Sequence, residues 1–188
     1  RLGRRLGIDQ SLKDPEYTSA NYQKYLKRYL RCVKGVDDNV KRLIGFLRET
    51  GELDNTVIIY TGDQGFFLGE HDLMDKRWMY EESFRMPLVV RWPGRIPAGV
   101  ELSQLAQNID YAPTFLDLAG VEVPSEMHGV SLVPLLEGKK PADWRDAVYY
   151  HYYESHAVHM VAAHYGVRTN RYKLVRYYEP QWDSWELF

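Results

Sequence analysis

The 188-residue sequence has a single cysteine, Cys32. That scarcity excludes an internal disulfide framework and any zinc site built from several thiolates. It leaves the redox compartment open, since many secreted proteins of this size manage without disulfides. An excess of basic charge is also lacking: 24 Lys and Arg stand against 26 Asp and Glu, for a net charge of −2. This argues against a nucleic-acid partner held by phosphate neutralisation. No apolar run approaches the roughly eighteen residues a membrane span needs. Neither an initiator Met nor a basic segment leading into an apolar stretch opens the chain, which begins Arg1-Leu2-Gly3-Arg4-Arg5. Internal repeats and low-complexity segments are missing as well.

What is present suits a folded domain. Apolar residues make up 45% of the chain, enough for a substantial core. The closing stretch Trp182-Asp183-Ser184-Trp185-Glu186-Leu187-Phe188 is aromatic and is expected inside a structure. Length suggests one domain, whereas the two ends read as those of an excerpt.

Residues 1 to 20 are polar and contain Asp14-Pro15, which predicts an irregular lead-in. From about Asn21 to Thr50, Leu26, Tyr29, Leu30, Val33, Val36, Val40, Leu43, Ile44 and Leu47 recur every three or four positions. That spacing predicts one apolar face of a long helix, stopped by Gly51. Asp37 and Asp38 precede Lys41 and Arg42 by four residues, a pairing geometry that competes with a paired-carboxylate metal site. Val57-Ile58-Ile59-Tyr60-Thr61 reads as a strand buried on both faces, as in parallel sheets. Residues 62–83 form a loop rich in Gly, Asp and His, and Pro87 to Trp92 resume as a strand. Helix, strand, long loop and strand make an α/β arrangement, in which ligands sit beyond the carboxyl ends of strands.

Asp110 can cap a helix with Pro113 in its first turn and Gly120 as its stop, which competes with a catalytic use. Gly129 to Leu136 is an apolar connector expected to pack on the core. From Ala147 onward the chain alternates as antiparallel strands, the last two joined by a tight turn at Asn170.

The loop after Thr61 carries the chemistry. Asp63 leaves the strand between Gly62 and Gly65, which let the backbone turn and approach a ligand. With Gln64 it offers hard oxygen ligands for Ca²⁺ or Mg²⁺. Lys76, thirteen residues on, can return as a point positive charge for an oxyanion. A plain surface loop with an Asx-turn at Asp63 fits the same spacing.

The text around this loop resembles the sulfatase family of the alkaline-phosphatase-like superfamily, in which a strand ends in Ser/Thr-Asp-Asn/His/Gln-Gly and is followed by Gly-x-His and Lys. Thr61-Gly62-Asp63-Gln64-Gly65, Gly69-Glu70-His71 and Lys76 carry it, with Val36-Asp37-Asp38-Asn39-Val40, Leu53-Asp54-Asn55-Thr56, Met86-Pro87-Leu88-Val89, Trp92-Pro93-Gly94 and Asp110-Tyr111-Ala112-Pro113-Thr114 around them. Gly129-Val130-Ser131-Leu132, Val167 to Leu174 and Trp185-Glu186-Leu187-Phe188 extend the likeness to nearly the whole chain. The implied fold is α/β: the carboxyl-terminal part of an alkaline-phosphatase-like sulfatase fold, a mixed sheet flanked by helices, followed by a small antiparallel β subdomain. Residues 1–146 are then the last part of the catalytic domain and 147–188 the start of the small subdomain, truncated at Phe188.

By that resemblance, Asp63 and Gln64 match two ligands of a divalent cation, usually calcium. Gln64 departs from the more familiar Asn or His, although its amide oxygen can still reach a cation. Lys76 matches the lysine that contacts sulfate and stabilises charge as the ester breaks. His71 matches a substrate contact at the mouth of the site. Arg77 and Trp78 suit a sulfated ring substrate, and Trp78 suits a core position equally well.

The family's Cys/Ser-x-Pro-x-Arg motif, whose residue becomes formylglycine, is absent, so formylglycine is expected upstream together with the other metal ligands. Cys32, in Arg31-Cys32-Val33-Lys34-Gly35, lacks the Pro and Arg and reads as an inert residue at a core-facing or boundary helix position. His151, His156, His159 and His164 suggest a second metal site without a further ligand, or residues of loops and a substrate cleft. The expected function is sulfate-ester hydrolysis by the parent protein, with these residues inactive alone. The substrate would be a sulfated sugar or another small sulfate ester, and the protein periplasmic or secreted. A phosphate or phosphonate ester hydrolase of the same superfamily, or a non-catalytic module binding sulfated glycans, are the alternatives.

Overall fold

The computed structural model describes residues 2–155 and 159–188, and the chain forms two compact units. The first takes residues 1–56 and 67–74, the second residues 57–66 and 75–188.

The first unit is built on helices α1 (Leu2–Leu6) and α2 (Glu16–Glu49). The lead-in is therefore partly helical, because Gly3 lets α1 press onto α2. A Cβ there would lie 2.2 Å from the Tyr17 hydroxyl. Helix α2 ends where the periodicity predicts, with Thr50 as its cap and Gly51 following at φ 76°. Its apolar stripe buries no residue: Leu30, Val33, Val36, Leu43 and Phe46 are all exposed. Asp38 pairs back to Lys34 rather than forward to Arg42, whose guanidinium donates to Asn39 instead at 3.0 Å. Cys32 is exposed, a correction to its expected core-facing or boundary position.

Short strands β2 (Phe67–Leu68) and β3 (Met74–Asp75) lie where the chain passes between units. In the second unit, strand β1 (Ile58–Thr61) pairs with β4 (Leu88–Arg91), Ile58 opposite Arg91 and Thr61 opposite Leu88. This pairing is antiparallel, and Tyr60 and Val89 are exposed. The continuous apolar run of β1 is thus not covered on both faces. A four-residue helix, α3 (Glu81–Phe84), precedes β4.

Helix α4 (Tyr111–Leu118) sets Phe115 and Leu118 around an apolar cleft with Val57 and Ile59. Tyr111 anchors it to the end of β1 by a 2.7 Å bond between its hydroxyl and Thr61 Oγ1. Asp110 does not cap α4 with its side chain. Its buried carboxylate instead accepts from the amides of Gln107 (2.8 Å) and Val130 (3.0 Å) and from the Arg145 guanidinium (2.7 Å). The 107–110 turn, the 130 connector and residue 145 are thereby held by one charge, a structural role. The connector includes α5 (Val133–Leu136) and packs inward as expected, with Leu132 and Leu135 buried.

Strands β5 (Ala147–Tyr152), β6 (His164–Thr169), β7 (Lys173–Tyr177) and β8 (Ser184–Leu187) form one antiparallel sheet in that order. Thr169 makes the β6–β7 turn, its Oγ1 accepting from the Tyr172 amide at 2.8 Å. Met79, Ala162, Val175 and Tyr177 form the core on this sheet, with Trp78, Phe84 and Tyr150 against it. Gly166 makes the fit: a Cβ there would meet Met79 Sδ at 2.5 Å. Against expectation, the closing aromatics are solvent-facing, with Trp185 and Phe188 exposed, because β8 is an edge strand paired only to β7.

Candidate active site

The segment from Asp75 to Trp78 is anchored at its end by Met79, which follows it and is plugged into the terminal sheet over Gly166. Two of its residues, Asp75 (φ 76°) and Arg77 (φ 95°), hold backbone conformations that side chains disfavour. They flank Lys76. Such a conformation persists only when surrounding bonds enforce it.

Those bonds are specific. The Arg77 amide donates to Ser83 Oγ at 2.8 Å, and the Tyr150 hydroxyl donates to the Arg77 carbonyl at 3.0 Å. Burial pushes the Tyr150 phenol up in pKa, outweighing the pull of the Arg77 charge, so its hydroxyl stays a donor. The Arg77 guanidinium pairs with the Asp75 carboxylate and meets His159 Nε2 at 2.8 Å. His159 Nδ1 lies 3.9 Å from the same carboxylate. Lys76 Nζ is 3.6 Å from Asp75 Oδ1, with its side chain 30% exposed, so a loose ion pair leaves the ammonium accessible to an anion.

Asp63 is exposed just past β1, and Gln64 is half-buried beside it. The Asn108 side-chain amide reaches the Asp63 carbonyl at 3.5 Å. The next residue, Gly65, donates its amide to the Ser83 carbonyl at 2.8 Å. There is no room for a side chain at Gly65: a Cβ would lie 2.1 Å from the Glu82 carbonyl oxygen and 2.8 Å from that of Arg85. A carboxylate and a carboxamide fit a hard divalent cation, but they are two of the six to eight oxygens calcium takes. Among the described residues no group of three or more His, Cys, Asp and Glu side chains assembles.

Asp63, Gln64, Lys76 and Arg77 therefore share the second unit, while His71 belongs to the first. There His71 sits at φ 55°, exposed, its ring edge-on to Phe67 at 6.3 Å. Trp78 takes the core option, stacked on His164 at 5.8 Å. Of the other histidines, His151 bonds the Tyr178 hydroxyl at 3.0 Å and His164 is fully buried, its Nδ1 2.7 Å from the Ala162 carbonyl. His156 lies outside the described residues.

The sequence reading missed Ser83, Tyr150 and the pairing of His159 with Asp75 and Arg77. Asp75-Lys76-Arg77 was a visible run of alternating charge. Nothing in spacing marks a serine in a four-residue helix, or a histidine 82 positions from its partner.

Comparison with known proteins gives the family. The family model described as "Sulfatase" matches residues 9–121, and that of "N-sulphoglucosamine sulphohydrolase, C-terminal" matches residues 69–188. The chain belongs to the sulfatase family. It is 55% identical over 179 residues to an N-acetylglucosamine-6-O-sulfatase of Bacteroides thetaiotaomicron, covering 94% of this chain and 32% of the relative. A solved structure of a protein in complex with its substrate D-glucosamine-2-N,6-O-disulfate matches with a TM-score of 0.90 at 53% identity, covering 98% of this chain and 37% of that one. A phosphonate monoester hydrolase from Silicibacter pomeroyi matches with a TM-score of 0.80 at 29% identity, over 95% of this chain and 36% of that one. The chain thus spans about a third of the length of the sulfatase relative. These matches bear out the α/β, alkaline-phosphatase-like fold with its antiparallel sheet at the carboxyl-terminal end.

Proposed function

We propose that the protein carrying this chain hydrolyses a sulfate ester of glucosamine or N-acetylglucosamine, with these residues contributing one side of the site. The observation that carries the proposal is the 55% identity to the N-acetylglucosamine-6-O-sulfatase across 94% of the chain. The accessible Lys76 ammonium, held between two backbone-strained residues, supports it.

Lys76 contacts the sulfate group and offsets negative charge as the ester oxygen departs, an electrostatic role that needs a fixed cation more than a proton. Arg77, held against Asp75 and His159, contacts the sugar: the guanidinium donates and the carboxylate accepts, which matches the paired demands of a ring hydroxyl. Asp63 and Gln64 would hold a divalent cation, in our proposal calcium, with the remaining ligands from outside these 188 residues. That cation, when bound, supplies positive charge to the sulfate oxygens. Formylglycine would also come from outside, which leaves the isolated chain inactive. The domain division at residues 146 and 147 and an exported location belong to the same proposal.

The test is turnover of N-acetylglucosamine-6-O-sulfate by the full-length protein against an aryl phosphonate monoester. Preference for the phosphonate would favour the second reading, which the 0.80 TM-score to the phosphonate hydrolase supports.

A further inference from the structure

Besides donating its amide to Tyr80, Ser83 accepts two bonds, both from segments that precede it in the sequence. Its carbonyl accepts from the Gly65 amide at 2.8 Å, immediately after Asp63 and Gln64. Its hydroxyl oxygen accepts from the Arg77 amide at 2.8 Å, immediately after Lys76. Ser83 is itself buried, so neither bond competes with water.

We propose that Ser83 is a positioning residue that sets the Asp63-Gln64 segment and the Lys76-Arg77 segment at a fixed separation. Three observations make the tie rigid. Gly65 sits so close to the carbonyls of Glu82 and Arg85 that it cannot slide past the turn holding Ser83. Arg77, at φ 95°, relaxes away from this backbone state unless its amide is held. The turn is fixed from the other side as well: Glu81 is paired with Lys173 at 2.5 Å and Arg168 at 3.4 Å, from β7 and β6 of the terminal sheet. The Ser83 hydroxyl is the one side-chain element of the tie, because the Gly65 bond is main chain to main chain and survives any substitution at position 83. Replacing Ser83 therefore releases the lysine segment and leaves the cation segment in place.

The inference rests on the sulfatase reading for its consequence in turnover and on geometry for the tie itself. The test makes Ser83→Ala and Ser83→Thr in the full-length protein. Amide hydrogen exchange and steady-state kinetics on N-acetylglucosamine-6-O-sulfate are then followed. Ser83→Ala should speed exchange at the Arg77 amide at least about tenfold, with the Gly65 and β5–β8 amides unchanged. It should lower kcat about tenfold, the scale expected of a small misplacement, with KM held within about twofold. Ser83→Thr, which keeps the hydroxyl, should restore both. Unchanged Arg77 exchange, unchanged kcat, a loss that threonine does not restore, or faster exchange throughout the sheet would each overturn the proposal. If the unsubstituted protein turns over no sulfate ester, the functional reading fails, and the Arg77 exchange rate alone decides whether the tie exists.

Discussion

The hydroxyl of Tyr150, on the first strand of the terminal sheet, donates to the main-chain carbonyl of Arg77 at 3.0 Å. One bond thus connects the antiparallel sheet to the segment that presents Lys76. Tyr150→Phe keeps the ring, which packs edge-on against Phe84 at 5.4 Å, and removes only the donor. The expected cost is about 1 kcal/mol of stability, the usual net worth of one hydrogen bond. Urea unfolding of the two proteins checks it, and an equal midpoint would show that the carbonyl is satisfied without the phenol.

Lys76→Ala in the full-length protein should reduce kcat on N-acetylglucosamine-6-O-sulfate by about 10²-fold or more, as expected when a fixed transition-state charge is removed. Because Lys76 makes only a loose ion pair with Asp75 at 3.6 Å, the melting temperature should barely move. A variant with near-normal kcat would remove Lys76 from the chemistry.

Gly65→Ala should destabilise the fold by about 1–3 kcal/mol, the cost of overpacking a tight site. The added methyl would lie 2.1 Å from the Glu82 carbonyl oxygen, so backbone must shift. Thermal unfolding measures it. Gly35→Ala, with no atom within 4 Å of where its methyl would sit, is the control and should be neutral or stabilising, since alanine favours a helix.

Arg145→Ala should cost about 3–5 kcal/mol, because it strands a fully buried carboxylate. The two backbone amides on Asp110 remain but do not neutralise it. Chemical denaturation of the single variants and of the double variant Arg145→Met with Asp110→Leu would separate lost pairing from lost charge. The double variant should recover part of the loss.

Burial holds His164 below the ordinary imidazole pKa near 6.5, outweighing the opposing bond to the Ala162 carbonyl. The unfolded chain therefore takes up a proton at a pH where the folded chain does not. Stability should be flat above about pH 7 and fall as pH drops through 6.5 towards the lowered folded-state pKa. Urea midpoints from pH 8 to 5 should show that slope, and it should shrink in His164→Phe.

Local chemistry was legible from the residues where a short segment decides it. The long helix and its stop at Gly51, the tight turn at Asn170 and the antiparallel strands after Ala147 all follow from periodicity and turn residues. What depended on distant partners was not. Asp110 has the residue type and position of a helix cap, yet its carboxylate is claimed by Arg145, 35 residues on. The β1 run looks like a central strand by composition, but its pairing direction is set by β4. In the candidate site, Asp63 and Lys76 could be named from their loop and its resemblance. Ser83, Tyr150 and His159 could not, because a hydrogen-bond partner leaves no period in the sequence.

Asp75 and Arg77 both occupy backbone states that glycine adopts without penalty. Selection for heat resistance alone would move these two positions towards glycine. Selection for turnover would restore the charged side chains. A library screened both ways should return opposite residues at 75 and 77, which makes this three-residue stretch a place where durability and activity in this protein are chosen against one another.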